Sequence, residues 1–197
     1  HMFMHGGILH LAFNMFALWM FGSAIESIFG SRRFLFFYIT CGIGAAIAQV
    51  GFLYYTFYSN LDLLVSSGFE SQSILNLLTE GKYNPNWGGV LGADGLMSFN
   101  TSFLSTMVGA SGAIFGVLVA FGMFFPESKL SLIFFPVPVK AKYFIPGIIL
   151  LDLFSAITGQ AIFSPSNTAY IAHIGGALTG FLIMYYWKKN QFNQNRW

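Results

Sequence analysis

Apolar runs of membrane-crossing length alternate with short polar breaks along most of this chain. The first run extends from about Ile8 to Ile28 and ends at Gly30-Ser31-Arg32-Arg33; the second, rich in aromatic residues, Gly and Ala, covers about Phe34 to Phe57. A third begins at Gly109-Ala110-Ser111-Gly112 and is stopped by Pro126, a fourth covers about Tyr143 to Ile157, and a fifth covers Thr168 to Trp187. Runs of this length and composition predict membrane helices. Between the second and third lies a different stretch, about 58–106, which holds Asp62, Glu70, Glu80, Lys82 and Asp94. It is too polar to span and too long for a turn. Ile74, Leu75, Leu77 and Leu78 predict a short amphipathic helix within it, and Trp87 suits an interfacial anchor.

Composition agrees with the pattern. The chain is 55% hydrophobic and 8% charged, where soluble domains carry about 25% charged residues. The expected fold is therefore all-α, a polytopic membrane helix bundle of about five spans in one domain, 1–197, carrying the polar insert. A net charge of +2 gives no case for nucleic-acid binding. The single cysteine, Cys41, lies in an apolar run and predicts core filling, with no disulfide framework. Gly42-Ile43-Gly44 lacks both the preceding strand and the third glycine of a dinucleotide loop. Four histidines without nearby carboxylate or thiolate partners make a poor metal set, so neither metal nor cofactor is expected.

Basic residues orient the spans. With alternating direction, Arg32, Arg33, Lys129, Lys140, Lys142, Lys188, Lys189 and Arg196 share one side, and Lys82 alone lies opposite. The basic side is expected to be cytoplasmic, which puts the C-terminus inside and the start of the Ser111 helix at the outer face. The chain opens at His1-Met2, already close to its first span, and its first helix enters from outside. Both features suggest a fragment lacking an upstream helix.

Several polar residues sit inside these runs. A serine in a membrane helix ordinarily bonds back to a carbonyl one turn earlier or helps helices pack. Ser111 differs in opening its helix, where backbone N–H groups have no intrahelical partner and the positive end of the helix dipole lies behind them. A hydroxyl there is placed beside its own oxyanion donor. His173, in the fifth run, is followed at i+3 and i+7 by Gly176 and Gly180, so histidine and glycines share a face. Gly112 and Gly116 form a matching small face after Gly109 and Ser111, and two glycine-faced helices approach closely enough for a Ser–His hydrogen bond. His10 and Asn14 form an i, i+4 pair that packs helices or, beside Ser111, donates to an oxyanion. Asp152 is the one acid well inside a span, Glu26 lying at the far end of the first, and it receives no role from these patterns.

Taken together, these residues resemble the rhomboid intramembrane serine proteases of bacterial type. The matching features are His1, His5 and His10-Leu-Ala-Phe-Asn14; Glu26 followed by Gly30-Ser-Arg-Arg; Gly109-Ala-Ser111-Gly; and Ala172-His173-Ile-Gly-Gly176 with Gly180. The resemblance implies a Ser111–His173 dyad without a third acidic member, and an oxyanion hole from His10, Asn14 and the Ser111 N–H. It implies that Phe115 packs on the catalytic histidine, and that His5 and Glu26 support the site. A polar cavity lined by His5, His10 and Asn14 would open to the outer side. The expected substrates are single-pass membrane proteins cut in or near their spanning helix, and the expected location is a bacterial inner membrane. The family core has six spans, and its first span and most of the following loop, with its Trp-Arg pair, have no counterpart here. Two further readings compete: a non-catalytic rhomboid-like scaffold or chaperone that binds membrane helices, whose members lose the serine or histidine kept here, and a small transporter, which needs more mid-membrane charge than Asp152 provides.

Overall fold

The computed structural model describes residues 1–132, 135–158 and 170–191. The first helical rod comprises α1 (Ile8–Ala17), one π turn (Leu18–Gly22) and α2 (Ser23–Phe29). The π turn inserts an extra residue into the helical register, as such bulges do, and buries Phe21 and Gly22. Gly30, at φ +75°, breaks the rod before α3 (Ser31–Ser66). That helix is 36 residues long and runs well past the expected end near Phe57. No proline or glycine follows Gly51 until Gly68, whose φ of +95° permits the stop. The short amphipathic helix expected around Ile74–Leu78 is α4 (Ser71–Thr79), followed by α5 (Trp87–Leu104), which breaks at Gly92.

Next come α6 (Ser111–Phe124), the antiparallel strands β1 (Lys129–Leu132) and β2 (Phe135–Lys140), α7 (Ala141–Thr158) and α8 (Tyr170–Gln191). The basic segment after Pro126 holds this hairpin, and Glu127 accepts ion pairs from Lys140 at 2.7 Å and Lys142 at 2.5 Å at its base. The hydrogen bonds from Lys140 and then Lys142 hold the Glu127 carboxyl down at about 2. The short break between the fourth and fifth apolar runs, Gly159–Asn167, and residues 192–197 lie outside the described residues; the polar tail after Trp187 begins as the last turn of α8.

The fold is all-α apart from the hairpin. Among the described residues, three helical stretches are long and apolar enough to cross a membrane: Ile8–Phe29, Ser31–Ser66 and Ala141–Thr158. α6 is equally apolar but has only 14 residues.

The chain forms two compact units, His1–Gln49 with Met107–Trp197, and Val50–Thr106. The second unit has its own core of Leu61, Leu64, Ile74, Leu78, Trp87 and Phe99. Trp87, expected as an interfacial anchor, is 1% exposed there and meets Phe99 edge to face at 5.9 Å. An amphipathic ring finds its hydrophobic partners wherever they lie, and here a local core provides them.

The first unit is organised by α6 and α8, its most extensively packed pair. Added Cβ atoms show how close they run. One at Gly176 would overlap the Gly112 carbonyl, and one at Gly180 would lie 2.7 Å from the Gly116 Cα. On the other side α3 presents Cys41 to Gly116 and Ala45 to Gly112. Phe37, Cys41, Ala45 and Gln49 form its buried stripe at four-residue spacing.

Candidate active site

Ser111 is the first residue of α6, and the turn before it depends on Gly109. Gly109 has φ +109°, a conformation L side chains rarely adopt. A Cβ there would also lie 2.8 Å from the His10 imidazole. Its N–H donates to the Met4 carbonyl at 2.6 Å and the His1 carbonyl at 3.1 Å, which ties the N-terminal residues over the turn. The first backbone bond of α6 runs from Ile114 N–H to the Ala110 carbonyl. The N–H groups of Ser111, Gly112 and Ala113 therefore precede the helical ladder and have no intrahelical acceptor.

His173 lies one turn into α8 and is 6% exposed. Its Nε2 is 2.9 Å from Ser111 Oγ. This contact is a product of the glycine face: Gly112 packs against the Ala172 carbonyl and Gly176 against Gly112, so the two backbones hold both side chains at one depth. Phe115, one turn below Ser111, stacks on the imidazole with centroids 4.1 Å apart and ring planes 7° from parallel. Ser111, His173 and Phe115 are thus brought together, with Gly109, Gly112, Gly116, Gly176 and Gly180 at the contacts that seat them.

His10 lies against Gly109, two residues before the serine, and its Nδ1 accepts the Gly6 N–H at 3.3 Å. Asn14 is buried and bonds back to the His10 carbonyl at 2.8 Å, which occupies one of its two amide hydrogens. His5 meets His10 edge to face at 5.3 Å, and its Nε2 is buried without a hydrogen-bond partner among the described residues. Glu26 is different. It follows His10 by sixteen residues in the same rod, about 24 Å at ~1.5 Å per residue, and belongs to the opposite end of the helix. The structure separates it from the site it was expected to support.

One residue was left without a role by the sequence patterns. Asp152, on α7 and 2% exposed, puts Oδ2 2.7 Å from His173 Nδ1, on the ring edge opposite Ser111. The resemblance implied a dyad; the structure puts a carboxyl group behind it. The available signal was the presence of an acid inside a span, which is uncommon and marks functional positions by default. Among the described residues no cluster of His, Cys, Asp and Glu with metal-binding geometry forms.

The fold and this site define a membrane helix bundle in which a serine at an open helix N-terminus is hydrogen-bonded to a buried histidine. The rhomboid domain matches residues 1–71 and 86–190, and the chain belongs to the rhomboid family. It is 28% identical over 195 residues to the human presenilin-associated rhomboid-like protein, mitochondrial, covering 96% of this chain and 38% of that protein. Rhomboid protein 1, mitochondrial, of Saccharomyces cerevisiae is 27% identical over 187 residues, 95% of this chain and 40% of that one. Rhomboid protease AarA of Providencia stuartii is 30% identical over 185 residues, 92% of this chain and 52% of that protein. The chain therefore spans about two-fifths of the length of its mitochondrial relatives, and its kinship extends beyond the bacterial type. No solved structure matches it.

Proposed function

We propose that this integral membrane protein is a serine endopeptidase that cleaves single-pass membrane proteins within or beside their spanning helix. The observation that carries this reading is the 2.9 Å contact between Ser111 Oγ and His173 Nε2 at the open start of α6. One of its relatives is named a protease, and the chain retains both the hydroxyl and the imidazole that a non-catalytic scaffold would not need.

In this reading His173 is neutral and its Nε2 lone pair takes the Ser111 proton as Oγ bonds to the substrate's carbonyl carbon. The carbonyl oxygen becomes an oxyanion, for which the Ser111 N–H, the positive end of α6 and the side chains of His10 and Asn14 are the proposed donors. The C–N bond then breaks and the proton passes from Nε2 to the leaving amine. Water repeats the sequence on the acyl-enzyme and releases the new carboxyl end. Phe115 covers one face of the imidazole and keeps its edge toward Oγ.

Reconstituted with a model single-pass substrate, the chain is expected to cleave it, and Ser111→Ala or His173→Ala to abolish cleavage while the fold survives. Cleavage persisting in either variant rejects the assignment. Binding of the substrate without cleavage by the unaltered chain favours a scaffold.

The basic residues set the proposed orientation, with the hairpin at the cytoplasmic or equivalent side and Ser111 opening to the other. In a Cys41→Ser background, a cysteine replacing Gly81 is expected to be labelled by an impermeant maleimide applied outside intact cells, and one replacing Ser128 to resist it. The reverse pattern inverts the topology.

A further inference from the structure

We propose that Asp152 is a positioning residue for His173, so that the peptidase works through a hydrogen-bonded series Ser111–His173–Asp152. This rests on the reading of Ser111 and His173 as the catalytic pair and adds a member that the dyad lacks.

Position comes first. The buried residues of α7 include Ile145, Ile148, Asp152 and Ser155, a stripe at spacings of three, four and three. Asp152 therefore occupies the inward face of α7, where an aliphatic residue would satisfy packing. A carboxyl group in that position needs a hydrogen-bonding partner, because desolvating an unpaired one is strongly unfavourable. Its partner is the ring nitrogen that Ser111 does not use, and 2.7 Å lies within the range of charge-assisted bonds.

The chemistry follows from the tautomers of imidazole. A neutral histidine carries one ring proton, and that proton decides which nitrogen accepts. With the proton on Nε2, His173 donates to Ser111 Oγ and no base is present. A carboxylate at Nδ1 admits only the Nδ1–H form, so the Nε2 lone pair faces the serine hydroxyl. When Nε2 takes the Ser111 proton, the resulting imidazolium lies beside a negative charge in a water-poor interior, where the interaction is strong. Asp152 gains no proton at any step; Nδ1–H stays on nitrogen, and the proton on Nε2 leaves with the amine. The ring is thus fixed on three sides, by Ser111 and Asp152 at its edges and Phe115 on its face.

Packing and positioning give different answers to a near-isosteric change. Asp152→Asn keeps the volume but replaces the carboxylate, and the equivalent change in a soluble serine protease lowers kcat about 10⁴-fold. The expected result here is a fall of about that size in kcat with KM unchanged, and with thermal unfolding close to wild type. Wild-type kcat, or a change confined to KM, overturns the proposal. A second measurement needs neither a substrate nor a variant that folds. In the ¹⁵N-histidine-labelled full chain, His173 is expected to show Nδ1 protonated and Nε2 bare; a proton resident on Nε2 overturns the proposal. The two failures are separable. If Ser111→Ala is dead and Asp152→Asn is active, the peptidase stands and the positioning role falls. If the intact chain cleaves nothing, the peptidase reading falls, and the ring tautomer still decides whether Asp152 orients His173.

Discussion

Helices α6 and α8 meet backbone to backbone, whereas the core of Val50–Thr106 is held by large side chains. In the first case Gly112, Gly116, Gly176 and Gly180 leave nothing between the helices. In the second, Phe57 stacks on Phe99 at 5.2 Å and Trp87 meets the same ring edge to face. Large side chains bury much area and accommodate change through rotamers, whereas a glycine contact has no side chain to adjust. The difference matches what each region carries. A Ser–His hydrogen bond tolerates little displacement, and a backbone contact fixes the relative depth of two helices in a way that flexible side chains do not.

The sharpest way to break this comparison is to add one methyl group on each side of it. Gly176→Ala places a Cβ on the Gly112 carbonyl, which cannot move aside, and is expected to abolish cleavage and lower thermal stability together. Gly89→Ala, where nothing lies within 4 Å, is expected to leave both intact. Equal tolerance at the two positions would show that the close contact does not set the site.

The next effect in size concerns the proposed oxyanion donors. His10→Ala and Asn14→Ala are each expected to lower kcat by roughly a hundred- to a thousand-fold, about 3–4 kcal/mol, with KM nearly unchanged. The double variant should fall short of additive if both donors serve one oxygen. Full activity in both single variants would return the pair to helix packing, for which the Asn14 bond to the His10 carbonyl is already suited.

The smallest effect on chemistry is expected from the side-chain core. Trp87→Ala should cost about 3–5 kcal/mol of local stability. Hydrogen exchange would read this as lost protection among the amides of 50–106, and unchanged protection there would place Trp87 outside the core.

How much of this was legible in the sequence follows the same division. The apolar runs and the small faces containing Gly112, Gly116, Gly176 and Gly180 can be read because period and residue size are properties of the chain itself. The meeting of Ser111 and His173 follows from them, since two helices that touch through glycine at matched depth have few ways to be offset. Asp152 could be seen as unusual but could not be assigned, because its contact depends on the rotation of α7 against α8, and α7 has no glycine contact with His173 to reveal it. Trp87 misled for a related reason. Interfacial preference is an average over tryptophans, and residues as distant as Leu61 and Phe99 decide whether this one is covered. The hairpin was hidden in a loop whose lysines drew attention as topology markers, although two of them pair with Glu127.

The separation of Ser111 and His173 along the chain has a consequence in time. The two residues are 62 positions apart. At a synthesis rate of ~5–20 residues per second, His173 is added about 3–12 s after Ser111. During that interval α6 is a short apolar helix that begins at an unpaired hydroxyl, without base or glycine partner. A peptidase of the kind proposed would be made among newly inserted spanning helices, and the order of its own sequence would keep it inert until α8 is in place.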